Sequence, residues 1–300
     1  MLPYPGVQPD GSSTQDAPAD AWYGVLNEVR SLGFTEVDPT DSWLRIADLA
    51  PSRLDEFSDI VKRLGFTIPA ITTARRSIID PEFADENLAY SHRVLDVAPK
   101  VGAKVVSFGL LPRFMPAQLD ALWFWEQPGY SDPDDKAVWD LCVARFRELG
   151  DHAASLGLEI ALEMYEDTYL GTADDSVRLV TDIDHPAVGL NPDLGNLIRL
   201  HRPIEAWRSM FAKVVPYAKY WHVKNYFRME DPASGIILTS PAPLESGMMS
   251  YRLAVADALE AGFNGAFCVE HYGGDGLGVC ASNRDYLRSV LRRCGLGSRQ

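Results

Sequence analysis

Across 300 residues, 28 lysines and arginines face 42 aspartates and glutamates, a formal charge of −14, while 46% of the chain is hydrophobic and 23% charged. That composition is globular and excludes collagen-like, disordered and disulfide-stapled chains, and the acidic balance repels phosphate backbones and argues against a nucleic-acid partner. Apolar runs are too short to span a bilayer, no leader pattern opens the chain, and Cys142, Cys268, Cys280 and Cys294 form no C-x-x-C pair, so reduced thiols and a cytoplasmic location are expected.

In chain order, helical and strand-like segments alternate. Trp22, Val25, Leu26, Val29 and Leu32 trace one face of a first helix, and Leu54, Phe57, Ile60, Val61 and Leu64 a second. A longer helix, Asp135–Leu158, carries Val138, Leu141, Cys142, Phe146, Leu149, Ala153 and Leu156 on one stripe. Gly33, Gly65, Gly102, Gly157 and Gly262 follow helical patterns and read as their terminators. After them come mostly apolar runs, as in parallel strands covered on both faces: Thr35–Asp38, Phe66–Ile71, Lys104–Leu110, Leu158–Glu163, Ala187–Asp193, Tyr220–Lys224 and Ala266–Glu270.

Seven strands are plain, and an eighth would lie in Met1–Val7, within a weakly patterned stretch over residues 1–20. Eight βα units in this length predict an α/β chain folded as a single-domain (β/α)8 TIM barrel over residues 1–300. The alternative, an open doubly wound sheet, lacks its glycine-rich phosphate turn after the first strand. Long loops are expected after the fourth strand (Pro112–Asp135, with Trp123, Phe124, Trp125 and Tyr130) and after the seventh (Met229–Gly247).

The functional signal is a polar residue near the carboxyl end of each of the last four strands: Glu163, Asp193, His222 and Glu270, separated by 30, 29 and 48 residues. One βα unit takes about 30 residues, so these side chains belong on one rim. Charges in apolar strands are costly unless paired or bound to a metal. Three carboxylates and one imidazole suit Mn²⁺ first, then Mg²⁺ or Co²⁺.

These residues, in this order, resemble the xylose isomerase-like barrel superfamily of sugar isomerases and epimerases, most closely its ketose 3-epimerase branch, over Trp22–Leu291. The resemblance implies that Glu163 and Glu270 bind the metal and act as acid and base on opposite faces of a sugar carbon, with Asp193 and His222 completing the metal set. It also implies a substrate contact at Arg228, six residues after His222. Asn196 and Tyr169 stand where the epimerases carry a histidine and a glutamate.

A looser likeness is to the α subunits of C-glycoside deglycosidases, lyases of 3-oxo glycosides that pair with a small β subunit. The aromatic loop with Trp123 and Trp125 would stack on a sugar face or an aromatic aglycone, or else cover the barrel mouth or pack against a second subunit, and under the looser likeness Lys224, His271, Glu166 and His201 are candidate acids or bases. The expected partners are a carbohydrate or glycoside and other subunits, either further copies or a small second chain, with no membrane. A noncatalytic sugar-binding subunit is the reading from a different class. The glycine-rich run Gly273–Gly278 raises a sugar phosphate, with Asp275 at its centre arguing against an anion. An endonuclease of the same superfamily would need more than six histidines and a basic groove.

Overall fold

The computed structural model of the chain describes Met1 and residues 3–295. Strands β1 (Ala70–Thr72), β2 (Val105–Gly109), β3 (Glu159–Glu163) and β4 (Val188–Asn191) form a parallel sheet in that order. Two single-residue bridges extend this wall. Glu36 pairs with Thr67 on one side, and Leu190 with Ala218 on the other, leading into β5 (Trp221–Val223). Parallel to β5 lies β8 (Phe267–Val269). The wall thus follows the predicted chain order from Thr35–Asp38 round to Ala266–Glu270, the arrangement of a TIM barrel.

Helices α1 (Ala19–Ser31), α2 (Pro51–Arg63), α3 (Ala84–Val97), α5 (Lys136–Ser155), α6 (Ala173–Ile183), α8 (Trp207–Val214), α9 (Tyr251–Glu260) and α10 (Gly276–Arg293) accompany the strands. Asp135 caps α5 by accepting the Ala137 amide at 2.7 Å, which satisfies one of the amides a helix start leaves unbonded. Gly102 and Gly157 end their segments at φ of 85° and 67°, a backbone region that side chains disfavour.

Strand residues alternate between two environments. Ile160 and Leu162 join the large apolar layer beneath the helices, whereas Ala70, Val105, Ala161 and Tyr220 form a small interior cluster with Ala266 and Cys268. Continuing that inward register by two residues places Glu163 above Ala161, His222 above Tyr220 and Glu270 above Cys268, and two more residues bring Lys224 above His222. A narrow apolar floor therefore supports a polar upper layer.

Two expectations need correction. Met1–Val7 contributes no parallel strand among the described residues: Val7 makes one antiparallel bridge to Ser13, and the Met1 amino group donates to Asp38 O at 3.0 Å. A groove of about 460 Å³ lies between Phe34–Asp38 and Asn264–Val269, with Met1, Pro3 and Tyr4 among its walls. Pro3 and Pro5 lack the amide a ladder needs and Gly6 favours a turn, so MLPYPGV is poorly suited to a strand.

The expected loop Met229–Gly247 instead contains most of an antiparallel hairpin, β6 (Asn225–Asp231) and β7 (Ile236–Ala242). Its turn closes at Gly235, whose φ is 71°. The earlier loop, Pro112–Asp135, holds only the short helix α4 (Pro116–Asp120) and a single 3₁₀ turn at Phe124–Glu126. Among the described residues no helix is long and apolar enough to cross a membrane.

Candidate active site

Glu163 ends β3, Asp193 follows β4 by two residues, His222 is the middle residue of β5, and Glu270 follows β8. The barrel brings all four together. His222 Nδ1 lies 3.0 Å from Glu270 Oε1, 3.7 Å from Glu163 Oε1 and 3.9 Å from Asp193 Oδ2. Lys224 Nζ joins them, 2.6 Å from both Asp193 Oδ2 and Glu270 Oε2. Asn196, on the short helix α7 (Gly195–Ile198), reaches Glu163 Oε1 and Asp193 Oδ2 at 3.2 Å each and Met164 O at 2.8 Å.

The histidine is held from behind. Thr72 Oγ1 lies 3.2 Å from His222 Nε2 and donates to Asp38 Oδ2 at 2.6 Å, while Tyr220 OH donates to the same oxygen at 2.8 Å. The His222 amide donates to Asn191 Oδ1 at 2.7 Å. Such outer partners fix the orientation of a ligating imidazole. Asp38 and Thr72 were not picked out from the sequence, although the polar end of the Thr35–Asp38 run was a signal.

Burial and charge set the protonation. Burial, only partly offset by Lys224, pushes the Asp193 carboxyl up to about 7. Burial also pushes Glu270 upward, but Lys224 and His222 beside it win, holding this carboxyl far below the usual range. For His222, burial favours the neutral ring; the facing Glu270 and Glu163 outweigh it and raise its pKa well above the ordinary value.

Three buried polar atoms lack a hydrogen-bond partner here: Asp193 Oδ1, His222 Nδ1 and Asn196 Oδ1. Leaving such groups unpaired is costly. Donor atoms of Glu163, Asp193 and His222 lie within 4.8 Å of one another, so the set fits a divalent cation. Asp38, His222 and Cys268 form a second compact group on the other ring nitrogen. There burial pushes the Cys268 thiol up to about 11, which disfavours the thiolate a metal would need.

A cavity of about 310 Å³ opens on this cluster, lined by Glu163, His222, Lys224, Glu270 and Asn196 and walled by Arg75, Phe114, Phe124, Tyr165 and Tyr272. Its volume sits at the lower end of small-molecule sites, a fit for a single sugar ring. The Arg75 guanidinium bonds Pro112 O at 2.6 Å and Tyr165 OH at 3.1 Å, with its carbon 3.2 Å from the Phe114 ring centre.

Other expected residues fall elsewhere. Arg228 does not line the cavity. Its buried guanidinium donates to Ile198 O at 3.0 Å, Leu200 O at 2.5 Å and Arg202 O at 2.6 Å, because the hairpin turns it toward the end of α7. Trp123 and Trp125 stack on each other at 5.1 Å and 12°, and Phe124 between them is the ring that faces the cavity. Glu166 is bound by Arg199 at 2.7 Å, His201 Nε2 lies 3.1 Å from Thr239 Oγ1, and His271 is outside the cavity wall. In the glycine-rich run, Asp275 caps α10 by accepting the Gly278 amide at 2.9 Å, so a carboxylate already fills the place a phosphate would take.

The profile of the xylose isomerase-like TIM barrel family matches residues 26–292. A crystal structure of a xylose isomerase-like TIM barrel protein from Mycobacterium smegmatis, in complex with magnesium, is 49% identical, covers 98% of this chain and 95% of that one, and superposes with a TM-score of 0.95. D-Psicose 3-epimerase of Clostridium cellulolyticum H10, solved with D-tagatose, shares the fold at a TM-score of 0.65 and 16% identity, over 92% of this chain and 95% of that chain. Inosose dehydratase of Geobacillus thermodenitrificans is 28% identical over 108 residues, which are 36% of this chain and 34% of that protein.

Proposed function

Because this chain belongs to the xylose isomerase-like TIM barrel family, a family of sugar isomerases and epimerases, we propose that it is a divalent-metal-dependent enzyme. Its reaction removes and returns a proton beside the carbonyl of a monosaccharide-sized sugar. The observation that carries this reading is the convergence of Glu163, Asp193 and Glu270 on the His222 ring, with Glu163, His222 and Glu270 opening on one cavity, Asp193 buried behind them, and Asp193 Oδ1 and His222 Nδ1 unpaired.

Glu163, Asp193, His222 and Glu270 would hold the ion, Mn²⁺ or Mg²⁺ by the hardness of the oxygen donors. When bound, the cation polarises the carbonyl and offsets charge developing on its oxygen. Glu163 and Glu270 come from separate strands, so each can reach one side of a sugar carbon. Glu270, which Lys224 bonds at 2.6 Å and His222 Nδ1 faces at 3.0 Å, would take the proton on one side. Glu163, steadied by Asn196, exchanges one at the opposite side. The Phe124, Tyr165 and Tyr272 rings cover the sugar and limit water, and Lys224 and Asn196 sit where polar groups of the sugar would meet the site.

A second reading is elimination: the same carbanion expels a substituent, as in the lyases of 3-oxo C-glycosides that work with a small partner subunit. The segment shared with an inosose dehydratase favours elimination, and the 310 Å³ cavity disfavours a bulky aglycone. The test is solvent deuterium wash-in at the carbon next to the carbonyl, followed by NMR over a panel of ketoses and 3-oxo sugars with Mn²⁺ or Mg²⁺. Metal-dependent exchange on one class is expected. Its absence across the panel would overturn the proposal.

A further inference from the structure

Lys224 stands in the same inward register as His222, two residues nearer the barrel mouth, and is almost wholly buried. Its ammonium bridges two carboxylates, 2.6 Å from Asp193 Oδ2 and 2.6 Å from Glu270 Oε2. The surroundings are built around it. A Cβ on Gly195 would fall 2.3 Å from Lys224 Cγ, so only glycine leaves room for the stem. Tyr251 OH donates to the Lys224 carbonyl at 2.8 Å and anchors its backbone.

Three carboxylates, Glu163, Asp193 and Glu270, surround two basic groups, the His222 ring and the lysine ammonium. It engages one oxygen each of Asp193 and Glu270 and leaves Asp193 Oδ1 unpaired and Glu270 Oε1 facing His222 Nδ1. A divalent cation held by these carboxylates would therefore sit beside that ammonium. A resident ammonium at this range repels it, because like charges in a weakly screened interior interact strongly.

Resting on the metal reading above, we propose that Lys224 is a positioning residue and built-in counter-cation. It holds Asp193 and Glu270 in place before a divalent ion arrives and sets the affinity for that ion low enough for exchange. Removing its charge leaves the His222 ring as the one basic group among three carboxylates, which destabilises the empty site and raises its affinity for a divalent cation.

The experiment is calorimetric titration of the full chain with Mg²⁺ and with Mn²⁺ at pH 8, alongside thermal melts with and without metal, for the wild type, Lys224→Gln and Lys224→Met. Glutamine keeps a hydrogen-bond donor and loses only the charge, so it covers the case in which the methionine variant fails to fold. Both variants should bind at least tenfold more tightly than the wild type, melt lower without metal, and gain more from metal on melting. Wild-type protein that binds neither ion overturns the metal reading itself. Wild-type binding with equal or weaker binding in a folded Lys224→Gln variant overturns the inference alone and makes the lysine a scaffold.

Discussion

Glu163→Gln separates chemistry from architecture. The side chain keeps its shape, and the amide oxygen can still accept from Asn196 Nδ2, now 3.2 Å from Glu163 Oε1. Two electrostatic changes oppose each other. The variant loses attraction to His222 Nδ1, 3.7 Å away, and sheds repulsion with Asp193, whose pKa Glu163 helps to raise. Unit charges about 5 Å apart at an effective dielectric of about 20 interact by about 3 kcal/mol. The two changes are of that order and opposite sign, so the net change in stability should be smaller than either, within about 3 kcal/mol. Loss of a proton-transfer group costs about 10²–10⁴ in rate, or about 3–5 kcal/mol of barrier. The assay is deuterium wash-in on the best substrate, with a urea titration of the same preparation. Exchange within fivefold of the wild type would refute the acid–base role, and a collapse in stability would show that Glu163 holds the barrel together.

Metal removal and pH give two further tests. Mg²⁺ at about one hundred times its dissociation constant should stabilise the fold by about 2.7 kcal/mol, an upward Tm shift that EDTA reverses and Asp193→Asn abolishes; an equal shift in that variant would place the ion elsewhere. Burial pushes the Asp41 carboxyl up from 3.8 to about 7, so the folded chain binds this proton more tightly than the unfolded chain does. Its stabilising contribution is therefore full below pH 4 and is lost as pH rises through 7. Asp41→Asn should gain on the wild type across that window, by up to about 4 kcal/mol, with the Ala74 amide that Asp41 accepts at 2.6 Å still satisfied. Denaturant midpoints at pH 4 and pH 8 measure the gain, and an unchanged difference between the two proteins would refute it.

The metal-ligand candidates were legible because each polar residue interrupts an apolar strand, and the inward alternation that buries Ala161 and Tyr220 also aims Glu163 and His222 at the axis. On the long helix Cys142, Phe146, Leu149 and Ala153 are buried as the stripe predicts, but its edge differs: Leu141 is 41% exposed, while Trp139 and Val143 are buried. Trp139 turns inward to pack on Tyr169 and donate to Asp182 Oδ2 at 2.9 Å, contacts from distant segments that no local period reports. The β6–β7 hairpin was hidden by Pro241, which reads as a loop residue. It sits on β7, a strand paired only with β6 among the described residues, where proline's missing amide is tolerated. Arg228 was placed by its spacing from His222, and that spacing carries no information about the hairpin that turns it away. Phe124, Tyr165 and Tyr272 come from three segments that only the folded chain brings together over the cavity.

The groove beside β8 gives the two glutamates unequal footing. Glu163 ends a strand laced to neighbours on both sides, β2 and β4. Glu270 follows one, β8, whose only ladder among the described residues is with β5. Proton exchange on one face of a sugar would thus be run from a stiff post and on the other from a compliant one, able to follow a carbon as it flattens. Amide protons at Phe267 should accordingly exchange with solvent sooner than those at Leu162, a difference in local softness between the strands that carry the two glutamates.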